Sequence, residues 1–393
     1  MKNALKRASA VMLAATSLAA AAPASAVTIN LIDVGGVAGS PAARGFAAAA
    51  AYWESVFTND AVLNFEVGFS PLGPNVLGGT RSTLLTDVAI SSYYGALRAG
   101  ASSALDRAAV GGLAPLTGGS VNVTVPQYLN PTNRTGIADN GTRIAPLGQE
   151  ISSEIAISTA NVKALYDDNA AYEADYGAGV IDGNIQFSST FNFDFDPTDG
   201  ITAGSYDFIG VAIHELGHAL GFLSGADDFD YSTGFAGQVD NVWWGYAGDM
   251  FRYSAEGQLD WTFGTDSYFS LDGGKTAFMN GFFSTGENNG DGWQASHWKA
   301  PGGCTDLLGI MNPYICSGLV DKVDALDLAF FDAIGWNVNV DVLANSGYAF
   351  TTGQAFGLVP EPATWAMMIG GMSLVGGAMR RRRTSVRFAT TTA

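Results

Sequence analysis

Residues 207–222 read DFIGVAIHELGHALGF, and both the fold and the chemistry of the chain turn on them. The apolar approach Phe208–Ile213 predicts a helix over 207–220. Gly217 and Ala219 are small enough for another element to pack closely, and Gly221 is suited to end the helix. Residues four apart share a helix face, so His214 and His218 point at one place. Two imidazoles converging there make a metal site, and Glu215, beside the first, can reach a water on that metal without ligating it. The competing reading is a core helix with incidental histidines. It would leave two buried imidazoles and a buried carboxylate in need of several partners each, at roughly 1–3 kcal/mol for every group left unsatisfied.

Catalytic zinc usually takes three protein ligands and keeps a fourth position open. In the commonest form of this string a third histidine stands three residues past the glycine, where this chain has Ser224. The one histidine left in the sequence is His297, in SHWK, ahead of LLGIMNP with Met311. Asp227, Asp228 or Asp230 would serve if the chain turned back sharply, but aspartate-ligand zinc sites carry their aspartate where Ser224 stands. Glu256 would suit a ligand on a later helix, yet AEGQ (255–258) reads as a turn.

Over roughly residues 200–336, and in the loose strand–helix plan of its N-terminal half, the sequence resembles the leishmanolysin-like metzincins. In that family H-E-x-x-H-x-x-G-F is followed by a long insertion, then by a histidine in an H-W context, then by a turn with methionine and proline. His214, Glu215, His218, Gly221, Phe222, His297, Trp298, Met311 and Pro313 match that order. The stretches Asp249–Ser254 and Phe269–Gly274 further resemble a bacterial metalloprotease group that shares the C-terminal tail described below. The resemblance implies His297 as third zinc ligand, Met311 as the Met-turn residue beneath the metal, and a metzincin-like domain over 27–340. That domain would divide into a sheet-and-helix part (27–200) and a part with zinc site, insertion and Met-turn (201–340). Ile310 before the methionine and the absence of the cysteine framework of the eukaryotic enzymes depart from the family pattern.

The two ends read as export signals. Lys2, Lys6 and Arg7 precede the apolar run Ala10–Ala22 and the small residues Ala24-Ser25-Ala26, so 1–26 reads as a signal peptide. At the other end Val359-Pro360-Glu361-Pro362 leads into apolar 363–379 and then Arg380–Arg383, long enough to span a bilayer with arginines on the cytoplasmic side. This pattern (359–383) resembles the PEP-CTERM sorting signal of Gram-negative bacteria, which implies an exosortase-type enzyme as partner and, as destination, the cell surface or extracellular matrix, or secretion after tail processing. Residues 341–358 read as a linker.

Segments 1–26 and 380–393 hold eight of the 19 basic residues and no acidic ones. The remainder therefore carries 37 acidic against 11 basic residues, a net charge of −26. Such a surface repels phosphate backbones and excludes nucleic acid as a partner. Cys304 and Cys316 are the two cysteines, and in an exported chain they are expected to bond. The bridge would close a loop of about a dozen residues around Met311 and stabilise it by roughly 3 kcal/mol.

Elsewhere, 28–34 and 62–69 alternate as strands, 43–57 reads as a helix, 83–110 as helical and 111–148 as an elaborated insertion. Residues 150–168 suggest a helix or a strand leading into one, 184–195 a strand, and 323–336 a final amphipathic helix whose Asp324 and Asp327 are structural or capping. This order predicts an α+β domain with a twisted mixed sheet. DFDPTDG places Asp194, Asp196 and Asp199 in a pattern like a calcium loop without the distal glutamate, and ordinary turn chemistry competes. The functional expectation is an exported zinc endopeptidase acting on peptide or protein, with Glu215 as general base and 184–195 as the strand that substrate joins. The alternative is an inert metzincin scaffold or a calcium-binding surface protein.

Overall fold

The alternating stretches TINLIDV and VLNFEVGF become parallel neighbours. The computed structural model describes residues 27–305 and 307–359. It opens with β1 (Val27–Gly35), α1 (Pro41–Val56) and β2 (Ala61–Ser70), with Val27 opposite Ala61 and Asp33 opposite Val67. Then come β3 (Gly78–Ser82), β4 (Leu84–Ala89), α2 (Ile90–Gly100) and α3 (Ala104–Gly112). The expected helix over 83–110 is thus corrected: its first residues form a strand, and the rest breaks at Ser103. That serine and Asp106 make a reciprocal capping box, a local signal that restarts the helix.

Within 111–148 lie β5 (Val123–Pro126) and β6 (Thr142–Ile144). Residues 150–168 take the strand-then-helix form as α4 (Glu150–Ser153), β7 (Glu154–Ser158) and α5 (Thr159–Tyr166). After α6 (Asn169–Tyr176), β8 (Gly183–Ser188) ends at a turn where the Ser188 hydroxyl accepts from Thr190 N. The expected strand 184–195 therefore resumes only as the short β9 (Phe193–Asp194), which pairs with β10 (Tyr206–Asp207). The main sheet runs β1-β2-β8-β3, with β3 antiparallel to β8. The β8 part of the 184–195 segment is therefore internal, and the edges of this sheet are β1 and β3. The sequence of β3, GGTRS, has no apolar alternation by which a strand could be recognised.

The motif helix α7 (Phe208–Ala219) packs on α1. A Cβ at Gly45 would come within 2.4 Å of the Phe208 ring, so glycine is required at this crossing. Phe46, Phe187 and Phe208 meet with ring centroids 4.6–5.0 Å apart, and Trp53 Nε1 donates to the Ile213 carbonyl. Burying each such ring contributes about 1.5–3 kcal/mol, so these contacts fix the helix against the sheet before any metal is considered.

Beyond α7 the chain forms α8 (Gly225–Tyr231), β11 (Gly245–Tyr246), β12 (Arg252–Ala255), β13 (Gln258–Asp260) and β14 (Tyr268–Phe269). These do not form a separate insertion. The order β14-β12-β13-β5-β6 joins them to the 111–148 region in one five-stranded sheet, while β11 extends β7 and β4. The expected division at residue 200 is thus crossed by sheet pairing. Glu256 lies exposed in the turn between β12 and β13.

The C-terminal part holds β15 (Lys322–Asp324), α9 (Ala325–Ala333), β16 (Ala349–Thr351) and α10 (Thr352–Phe356). Residues 341–358, expected to be a linker, are largely part of the body. β16 pairs with β15, the buried Thr352 hydroxyl donates to Asp207, and Ala355 and Phe356 are buried. The cause is local: Thr351 and Gln354 form a capping box, and Phe350 and Phe356 supply apolar anchors. Among the described residues no helix is long and apolar enough to cross a membrane. The expected signal peptide 1–26 and span 363–379 lie outside the described residues. The architecture is α+β with several mixed sheets.

Candidate metal centre

Asp207 caps α7 by accepting from the N–H groups of Ile209 and Gly210, both at 3.1 Å. The helix ends at Leu220, and Gly221 adopts φ +122°, which turns the chain so that the Phe222 carbonyl faces back to the helix. His218 Nδ1 donates to that carbonyl at 2.8 Å, and His214 Nδ1 donates to the Ile310 carbonyl at 2.8 Å. His297 is 5% exposed, and its Nδ1 lies 3.3 Å from the Gln294 carbonyl.

With every Nδ1 turned to a carbonyl, each imidazole keeps its proton there and presents a bare Nε2. The structure brings these three nitrogens together: 3.0 Å for 214–218 and 3.2 Å for both 218–297 and 214–297. Three lone pairs at this distance repel one another unless a cation lies between them. A tetrahedral site with bonds of about 2.0–2.1 Å has ligand–ligand edges of about 3.3 Å, so the donor set fits zinc. Burial favours the neutral rings that ligation requires, pushing His214 down to about 4. It pushes His218 down to about 3, with His214 adding to the effect. His297 is driven well below its ordinary value by the same burial and by both neighbours.

Glu215 is buried, and burial pushes its carboxyl up to about 7 against the opposing hydrogen bond from Thr80. The Thr80 hydroxyl stands 2.8 Å from Oε2 and 2.9 Å from the Glu215 carbonyl, on the free edge strand β3. Oε1 faces Gly78, where a Cβ would come within 2.7 Å of it. The edge strand and the carboxylate are in contact because residue 78 lacks a side chain.

Met311 is fully buried beneath α7, with its sulfur 2.5 Å from where a Cβ on Gly217 would stand. Gly217→Ala is therefore expected to lower stability by about 1–3 kcal/mol through overpacking. An exposed helix position would instead gain about 1 kcal/mol. Urea unfolding reads the sign directly: a gain in stability would mean that Met311 simply moves aside.

The turn carrying Met311 hangs on Asp327 of α9. Its Oδ2 accepts from Ile310 N (2.8 Å) and Asp324 N (2.9 Å), and its Oδ1 from Trp298 Nε1 (2.9 Å) and Met311 N (3.3 Å). Asp324 caps α9, with Asp327 completing the capping box. Cys304 and Cys316 are bonded, their Cα atoms 6.1 Å apart, and so close the loop around this turn. Tyr314 is a packed aromatic: its ring lies 5.2 Å from that of Trp293 and its hydroxyl donates to the Gly303 carbonyl. Both line a cleft of about 440 Å³ beside the His297 segment, together with Lys299 and Gly302.

The aspartates that competed as third ligand have other partners. Asp227 accepts from Ala295 N and Ser296 N, Asp228 from the Tyr246 hydroxyl, and Asp230 from the N–H groups of Asn288 and Asn289. Asp194 accepts from Asp196 N and from Thr202, and Asp196 caps the turn Pro197–Asp199, so the carboxylates of Asp194 and Asp196 are used in turn closure. Sequence reading passed over Thr80, for which no signal existed, and it weighed Asp227 only as a rival ligand.

Among known families, the PEP-CTERM protein-sorting motif matches residues 358–383. This motif is recognised by exosortase-type enzymes and implies export with sorting to the cell envelope of a Gram-negative bacterium. No curated protein and no solved structure matches the chain.

Proposed function

We propose that the chain is an exported zinc endopeptidase of the metzincin kind. The observation that carries this reading is the triangle of bare Nε2 atoms at 3.0–3.2 Å, with the Glu215 carboxylate beside it under the open edge of β3. His214, His218 and His297 would hold the metal. Zinc bound there supplies Lewis acidity toward a scissile carbonyl and brings water toward ionisation near neutral pH.

The rest of the work belongs to the chain. A peptide adds as a strand to β3, an edge strand of the main sheet, and this lays the scissile bond over α7. Glu215, held at Oε2 by Thr80, takes the proton of the attacking water at Oε1 and passes it to the departing amine. Phe222, Trp298 and Phe330, with centroids 4.1–5.9 Å apart, pack tightly behind His218 and the turn that follows it.

Elemental analysis for zinc and casein cleavage, on wild type and His297→Ala, test the proposal together. One zinc per wild-type chain with activity, both lost in the variant, is the expected result. Full zinc and activity in His297→Ala would exclude His297 as a ligand. A wild type that takes up no zinc would leave an inert surface protein as the reading.

A further inference from the structure

His214 and His218 are placed by a helix, but His297 is not. It lies on a loop whose regular pairing is two isolated bridges, Phe283 with Trp298 and Gly286 with Trp293, and its ring is held by the longest of the three carbonyl contacts, 3.3 Å against 2.8 Å. Holding an irregular backbone in one conformation costs conformational entropy at every residue, so something else must fix this loop.

We infer that Asp227 is the positioning residue of the third ligand: by gripping the two peptide N–H groups before His297, it sets the metal affinity of the centre. The inference rests on the metal reading above. Asp227 Oδ2 accepts from Ser296 N at 2.9 Å while Oδ1 accepts from Ala295 N, two charge-assisted bonds from one buried carboxylate. From the opposite side the buried Arg252 reaches the Ala295 carbonyl with Nη1 (3.3 Å) and the Ser284 carbonyl with Nη2 (3.1 Å). The peptide unit between Ala295 and Ser296 is thus held at both ends. Ser284 continues the grip, its N–H on the His297 carbonyl (3.0 Å) and its hydroxyl on that of Trp298 (3.1 Å).

The clamp is also referenced to the other ligands. Asp227 stands in the first turn of α8, five residues past Phe222, whose carbonyl orients His218. Ser224 caps that helix and donates to the buried Asp249, which also accepts from Gly225 N. The position of the second ligand is thereby carried through α8 to a third ligand 79 residues further on. Asp230, on the same helix, holds Asn288 and Asn289 and fixes the start of the loop instead.

The test measures zinc dissociation constants by competition with a chromogenic chelator, on the full chain and its Asp227→Asn, His297→Ala and doubly substituted forms. Asp227→Asn keeps the volume and turns one acceptor into a donor facing an N–H. It is expected to weaken zinc binding about 10–100-fold, as for other residues that orient ligands. Its cobalt-substituted spectrum should shift toward that of His297→Ala. Added to His297→Ala, it should cost nothing further. Unchanged affinity in Asp227→Asn overturns the inference. So does an equal loss in both backgrounds, which marks a general structural role. A wild type that binds no zinc overturns the metal reading itself, and this inference with it.

Discussion

Glu215→Gln is expected to cut casein cleavage by about 10²–10⁴-fold while leaving one zinc per chain, the range a positioned general base supplies. Glutamine keeps the size of the side chain and can still accept from Thr80, so the edge strand and the three imidazoles stay as they are. What it loses is the proton acceptor at Oε1. Burial holds the Glu215 carboxyl up at about 7, which makes its conjugate base a better acceptor than a surface carboxylate. Turnover of casein and zinc content are measured on the same preparation. Activity above about a tenth of wild type, well outside that range, would take the role from Glu215.

The second large effect is on stability. Asp327→Ala removes the acceptor for three buried donors, Ile310 N, Met311 N and Trp298 Nε1, and for the part-buried Asp324 N. Each stranded donor costs about 1–3 kcal/mol, partly recovered as water and neighbours rearrange, so a net loss of about 3–5 kcal/mol is expected. The damage reaches the metal centre, because the Ile310 carbonyl that orients His214 belongs to the freed turn. Urea unfolding in excess chelator reads the stability loss free of any metal contribution. A change below about 1 kcal/mol would show that water replaces the carboxylate without difficulty.

What the sequence made legible is local. The spacing of His214 and His218 and the glycine at 221 act within one or two turns of chain, and the structure has each where the pattern places it, whereas the equally local serine-aspartate cap at 103–106 went unread. His297 could be singled out because histidine is so scarce here. The remainder depends on contacts that leave no periodic trace. β3 is a strand because β8 offers it partners, and GGTRS needs glycine for its closeness to Glu215, not for flexibility. Asp227 and Asp327 work through backbone N–H groups, which every non-proline residue possesses, so nothing in their targets' side chains marks the pairing. The five-stranded sheet likewise joins segments more than 100 residues apart through Leu259 opposite Val123.

The docking of α10 has a further consequence for how the molecule stands at its destination. Arg44 covers the Phe356 ring at 3.6 Å, and Val359 is still tied to the body through the Phe356 carbonyl. From there to residue 363, where the apolar stretch begins in the sequence, the chain can reach at most about 14 Å. The sorting motif therefore begins within the folded body, and an enzyme that recognises it must approach along the end of the molecule bearing α1 and α10.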